Sequence, residues 1–271
     1  MPRRVWRLAG QRPAGDNPMQ TESLGKIANR HFVSIPFRDG ELLDLSNDIH
    51  PTRAYGWGHQ GNSVSLDSGA TYYCFVVAGP AKLTVFWPID PYSIMLREQM
   101  YFAAPTPITI EGGCGIVVAR LNCRGMLAIG GPIEERGRLR YIDGCTDSLL
   151  IPPVVRGDPC LNHLHFPKHI SQTRHTHPSI RIGIVVRGMG RCVVPDESRP
   201  EFDITIPLQP GHLFWIPTNG QHSFFTDDSE MDVIAYHPDS DTGPDDDDHP
   251  MVNRTIVEGI SAARIDQIRT R

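Results

Sequence analysis

No run of the 271-residue chain approaches the ~18 consecutive apolar residues that a membrane-spanning helix needs, so none is expected. The basic opening MPRRVWR is not followed by the apolar stretch of an export signal. Six cysteines, Cys74, Cys114, Cys123, Cys145, Cys160 and Cys192, include no CxxC pair. In a chain long enough to bury a core without staples they read as free thiols of a reducing cytoplasm. A basic excess is also missing: the formal charge is −5, and residues 239–248 hold six Asp with no Lys or Arg, which leaves the remainder at +1. Neither a nucleic acid nor a membrane surface is an expected partner, and no helix-turn-helix pattern is visible.

What is present is turn chemistry and histidine. Twenty-five Gly and 24 Pro argue against long helices, while 39% hydrophobic residues suffice for a sizeable core. From Thr71 the chain runs through short β-branched and aromatic stretches broken by Gly and Pro: TYYCFVVAGP, KLTVFWP, MYFAAP, GIVVARL. The pattern returns after Asp143 in SLLIPPVV, LNHLHFP, IRIGIVVRG, GRCVVP, ITIPL, HLFWIP, HSFFT and DVIAYHP. Many short strands at regular spacing predict an all-β sandwich or barrel. IRIGIVVRG ending at Gly188 aligns with TYYCFVVAG ending at Gly79, and GHLFWIP ending at Pro217 with QMYFAAP ending at Pro105, which predicts a duplication. The expected division is a flexible arm over 1–29, a first barrel over 30–142, a second over 143–250 and a tail over 251–271. That tail carries one short helix with Ser261 as N-cap and Ile265 and Ile268 on one face.

Nine of the twelve histidines lie between His163 and His249, and one set has a suggestive spacing. His175 and His177 are two apart, so on a strand their rings leave the same face. A return through Gly211, Pro217 and the Thr218-Asn219-Gly220 turn brings His222 toward them. Three converging imidazoles suit a borderline divalent ion with open positions; three histidines hydrogen-bonded in a polar barrel interior are the alternative. The intervals among His175, His177, Gly188, Gly211, Pro217 and His222 resemble the two signature motifs of the cupin superfamily. The resemblance, which rests on roughly 143–237, implies two tandem jelly-roll barrels, with metal ligands His175, His177 and His222 in the second. At the position where the family usually has a ligating Glu stands Arg181, which cannot bind a metal. The family's ligand positions fall in the first half on Leu66, Ser68, Tyr72 and Ile110, so that half resembles a cupin without its site.

Alternation places Arg181, Gly183 and Val185 on the ligand face. Arg181 reads either as a fork for a substrate carboxylate or phosphate or as the partner of a buried carboxylate, and Gly183 as the space that substrate would need. Phe224 shares parity with His222 and is expected to wall the pocket. His163 and His165 share one strand face, Leu164 and Phe166 the other, and which faces inward stays open; His212 has no decided side. The aspartate-rich stretch reads as a solvated loop, with a lid or weak cation site as the alternative. The resemblance implies a mononuclear non-haem Fe(II) oxygenase acting with O2 on a small, polar, carboxylate-bearing substrate. It equally admits a Zn, Mn or Ni isomerase, lyase or cyclase, and a non-enzymatic ligand or metal sensor remains as a third reading. Family members commonly pair through sheet edges, so a homodimer is expected.

Overall fold

A computed structural model describes residues 29–270 except Asn62, Pro88 and Pro200. The Gly- and Pro-punctuated apolar runs form strands, and the two halves repeat one topology. In the first half the strand Ala70–Ala78 lies between Tyr101–Ala104 and Cys114–Leu121, and the sheet continues through Thr52–Trp57 to Gly40–Leu45. In the second, Arg181–Gly188 lies between Leu213–Ile216 and Met231–His237, and the sheet continues through Cys160–Phe166 to Thr146–Ile151. The pairs aligned in sequence, 70–78 with 181–188 and 101–104 with 213–216, therefore occupy equivalent places. Each large sheet faces a smaller one: Val64–Leu66, Ile108–Glu111, Ala81–Val85 and Tyr92–Leu96 in the first half, and Asp203–Leu208, Gly190–Pro195 and Ser223–Phe225 in the second. The result is two jelly-roll barrels in tandem.

Period-two alternation sorts the side chains into three cores. Tyr72, Cys74 and Val76 fill the first barrel, whereas Tyr73, Phe75 and Val77 leave the opposite face of the same strand. That outer face meets Ile182, Ile184, Ile234 and Tyr236 from the outer face of the second large sheet, and together they form one buried cluster. Val185, Phe214, Phe224 and Val233 fill the second barrel. The first barrel is packed with Trp57, Leu83, Ile108 and Ile110, and its outer face covers its neighbour's sheet.

Three expectations are corrected. The strand Val33–Ile35, assigned by sequence to the first barrel, pairs with Leu213–Trp215 at the edge of the second barrel's sheet. Leu139–Arg140, likewise placed before the division, pairs with Thr146–Asp147. In the tail, the α-helix is Pro250–Arg254, capped by the His249 ring, which accepts from Met251 N and Val252 N. Ser261 does cap, but only the 3-10 turn Ala262–Arg264, because the hairpin Ile256–Val257/Ile260–Ser261, turning at Gly259 with φ +83°, uses the preceding residues. The expected flexible arm falls, apart from Asn29, outside the described residues. No helix among the described residues is long and apolar enough to cross a membrane.

Candidate metal centre and its cavity

His175 and His177 do not lie in a regular strand. They stand on the segment leading into Arg181–Gly188, and a single antiparallel bridge fixes them: His175 N donates to His222 O at 3.0 Å and His222 N to His175 O at 3.1 Å. Asn219 N donates to His177 O at 2.8 Å, which ties the Thr218–Gly220 turn to the second ligand position. Asn219 takes φ +59° in that turn, a conformation asparagine tolerates better than most residues. The three rings pack closely at tilted to edge-on angles, with centroids 4.4 to 5.1 Å apart. One ligand nitrogen from each of His175, His177 and His222 lies within 4.8 Å of the others, and this is the only such cluster among the described residues.

Hydrogen bonds select the nitrogens. His175 Nδ1 faces Thr173 O at 2.8 Å and His222 Nδ1 faces Gly220 O at 2.9 Å. A carbonyl only accepts, so each Nδ1 is the donor there, and Nε2 is the nitrogen left to face a metal. Burial, with smaller contributions from Arg181 and the neighbouring rings, pushes His177 down to about 3; burial likewise pushes His222 down to about 3 against the Gly220 carbonyl. At neutral pH these rings are therefore neutral, the form that coordinates a metal. The donor set, three imidazoles of which two have a supporting carbonyl, fits a borderline divalent ion.

The same burial predicts an acid instability of the metal-free protein. His222 and His212, the latter pushed down to about 4 by burial, are neutral when folded and take up protons when unfolded. A lowered histidine pKa costs nothing above ~6.5 and costs stability as pH falls below it, until the folded pKa is reached. Each ring should remove about 1.4 kcal/mol per pH unit from ~6 to ~4. Urea midpoints of metal-free protein at stepped pH check this, and midpoints flat over that interval would contradict it.

Beside the rings opens a cavity of about 290 Å³. Leu164, Phe166, Phe214, Ile216, Phe224, Val233 and Ala235 make an apolar wall, while Tyr141, Asp147, Gln172, Arg181, His237 and Asp241 add polar groups. Arg181 lines this cavity as its parity requires. Its Nη1 donates to Ser179 O, Ser179 Oγ and Ile180 O at 3.2, 2.7 and 2.8 Å, and Nε has no partner. Ser179 Oγ in turn donates to Asp239, whose carboxylate stands 3.6 Å from His50 Nε2 of the first barrel. Among the described residues no direct salt bridge holds Arg181; its Nη1 alone is fixed, by two carbonyls and a hydroxyl.

Phe224 lines the cavity as expected. Gly183 does not leave space for a ligand: a Cβ there would stand 2.3 Å from Phe214 Cζ, so the ring from the adjacent strand occupies that room. Val185 is buried in the second barrel's core, opposite Val233 on the neighbouring strand, and is not among the residues that line the cavity. His165 and His163 are also outside it. Leu164 and Phe166 face inward, and the two histidines leave the opposite face of the strand, where His163 Nε2 and His165 Nδ1 each lie 2.9 Å from Asp232 Oδ1. His212 is bound to Ser34 Oγ at 3.1 Å, behind Phe32. The aspartate-rich stretch is fastened to its own barrel, by Gly157 N to Ser240 O at 2.7 Å, Arg156 N to Pro244 O at 3.0 Å and an Arg156–Asp245 ion pair at 3.0 Å. It contributes Asp241 to the cavity.

Sequence reasoning missed two groups. Tyr141, Asp147 and Gln172 enter the cavity from elements whose inward face only the strand pairing reveals. The segment Arg30–Ile35 braces the ligand loop from about 190 residues away: Gln221 N donates to His31 Nδ1 at 3.2 Å, and Phe32 stacks on Phe214 with centroids 5.0 Å apart. No local signal marks that segment.

Residues 156–239 match the AraC-like ligand binding domain family. No curated protein is significantly similar to the chain in sequence. Among solved structures, the fold is similar to Bacillus subtilis oxalate decarboxylase, a protein with Mn(II) centres, at 10% identity over 81% of this chain and 79% of that one, with a TM-score of 0.53. It is also similar to an 11S globulin from Wrightia tinctoria with an auxin binding site, at 12% identity, 80% and 82% coverage and a TM-score of 0.53. An IolB-like protein from Salmonella typhimurium matches at 11% identity, 77% and 92% coverage and a TM-score of 0.54. At such identities the likeness is one of fold.

Proposed function

We propose that this chain, whose fold is that of the two-domain cupins, is a metal-dependent enzyme working in its second barrel on a small anionic substrate, and that its chemistry is that of an Fe(II) dioxygenase. The observation that carries the reading is the convergence of three imidazoles, two of them with Nδ1 engaged by backbone carbonyls, at the edge of a mostly apolar cavity that also holds Arg181. His175, His177 and His222 would hold the ion by one face. When bound, Fe(II) would supply the redox chemistry that joins O2 to an organic substrate, both oxygen atoms entering the product so that no external reductant is consumed.

The protein's own groups do the rest. Arg181, held at Nη1 by Ser179 and Ile180, presents a fixed positive charge to a carboxylate and sets which end of the substrate faces the rings. Phe214, Phe224, Val233 and Ala235 keep water from the body of the substrate and lower the local dielectric, which strengthens that ion pair. A cavity of about 290 Å³ suits a compact organic acid rather than a polymer.

Metal analysis after purification without added metal, followed by O2 uptake with Fe(II) and a panel of small amino, keto and hydroxy acids, tests the reading. Oxygen consumption with one of these acids is expected. Stoichiometric zinc with no consumption on any acid would sink the oxygenase and leave the zinc, manganese or nickel isomerase, lyase or cyclase, a class for which the Mn(II) centres of the fold neighbour offer a precedent. Arg181→Leu should weaken binding of an anionic substrate by about 2–5 kcal/mol with metal content unchanged. Unchanged affinity would make Arg181 purely structural.

A further inference from the structure

Asp147 stands out among the groups lining this cavity. It lies on the strand Thr146–Ile151, opposite Leu164 and facing the same way as that cavity residue. Its Oδ1 is buried and has no hydrogen-bond partner, and no ion pair to it is formed among the described residues. It is not among the side chains whose ligand atoms cluster with the three imidazoles. Gln172 Nε2, another cavity group, is likewise buried without a partner. Buried polar atoms without partners are uncommon in folded proteins and call for a reason.

We propose that Asp147 is the proton-carrying group of the cavity, and that its ligand is a small monocarboxylate with a short apolar body, which enters as an anion and is held together with one proton taken up on Asp147. The proposal rests on reading the cavity as an anion site. Apart from an ion held at the three rings, the cavity is lined by one guanidinium, Arg181, and already by two carboxylates, Asp147 and Asp241, so no side-chain cation is left to match an ionised Asp147 beside a ligand carboxylate. An ionised Asp147 beside that carboxylate would repel it in a low-dielectric space. With the proton aboard, the same side chain becomes a hydrogen-bond donor to the anion. Burial already favours the neutral acid and pushes Asp147 up to about 6, against His163 and the Ser148 amide, which pull the other way. The other titratable groups around it are Tyr141 on the preceding segment, His163 on the adjoining strand, Arg181, His237 and Asp241 across the cavity, and the three imidazoles. The apolar wall of Leu164, Phe166, Val233 and Ala235 suits a short hydrocarbon body. A proton so placed is available to a substrate carbon or oxygen during reaction.

Butyrate is the probe. Calorimetric titration of the metal-loaded full chain near pH 7, in buffers of different ionisation enthalpy, should show uptake approaching one proton per butyrate. Affinity should fall about tenfold per pH unit above ~7, since the ionised carboxyl must then be reprotonated. The Asp147 carboxyl carbon resonance should move to its protonated position as butyrate is added. Asp147→Asn should lose the uptake and the pH dependence while keeping its metal. Butyrate binding by the wild type without proton uptake, or uptake persisting in Asp147→Asn, overturns the assignment to Asp147 and leaves the anion site standing. Should the variant fail to fold, an Asp147 resonance that stays at its ionised position in the wild-type complex overturns it equally. Absence of butyrate binding at millimolar concentration refutes the anion site itself, and this proposal with it.

Discussion

Replacing His222 by Ala should leave a protein that folds but no longer retains metal. His222 is the most deeply buried of the three rings, with 1% of its surface exposed, and its backbone bridges to His175 in both directions. Substitution by Ala keeps those backbone bonds and removes only the ring, so the loss falls on coordination. Losing a hydrogen bond that merely supports a ligand lowers metal affinity about 10–100-fold, and losing the ligand itself should exceed that. Metal content should drop from about one ion per chain to a trace. His212→Ala is the matched control: its ring is also buried but is bound to Ser34, away from the cluster, and metal should stay. Elemental analysis of both variants decides the matter, and metal at wild-type level in His222→Ala would refute the three-histidine assignment.

The largest expected loss of stability is at Asp232. This fully buried carboxylate accepts from Arg187 Nε on Oδ2 and meets His163 and His165 on Oδ1. Burial pushes its pKa up, but the hydrogen bonds from His163, Arg187 and His165 outweigh that and hold it below the usual carboxylate range. A lowered carboxylate pKa stabilises the fold above the unfolded value of ~3.9 and loses that contribution as pH falls through the folded one. Asp232→Asn leaves the guanidinium facing a neutral amide. Breaking a buried pair costs about 3–5 kcal/mol, and the lower end is expected because Arg187 retains about a third of its side-chain exposure. Urea denaturation at neutral pH measures it; a change under about 1 kcal/mol would mean that the network contributes no more than an exposed salt bridge.

The parts legible in the sequence were those encoded by fixed local intervals. His175, His177 and His222 could be found because they combine with Gly188, Gly211 and Pro217 at several spacings at once. The duplicated topology could be read because strands 70–78 and 181–188 keep a similar apolar run at nearly the same distance from their return strands. What escaped depends on pairing over long distances. Asp147 reads as a polar residue in a short strand until its register against Leu164 shows it facing inward. Val33–Ile35 precedes the first barrel in sequence yet completes the second, because the edge of the strand Leu213–Ile216 needs a partner. Gly183 was misread because a missing side chain leaves room only when no neighbour fills it, and Phe214 does.

The most direct test of the central claim is anomalous diffraction from crystals of protein purified without added metal, collected above and below the absorption edge of the metal found by elemental analysis. One peak should lie about 2.1 Å from the Nε2 atoms of His175, His177 and His222, with the Arg181 guanidinium across the cavity and not coordinated. A peak elsewhere in the molecule with no density between the three rings would contradict it.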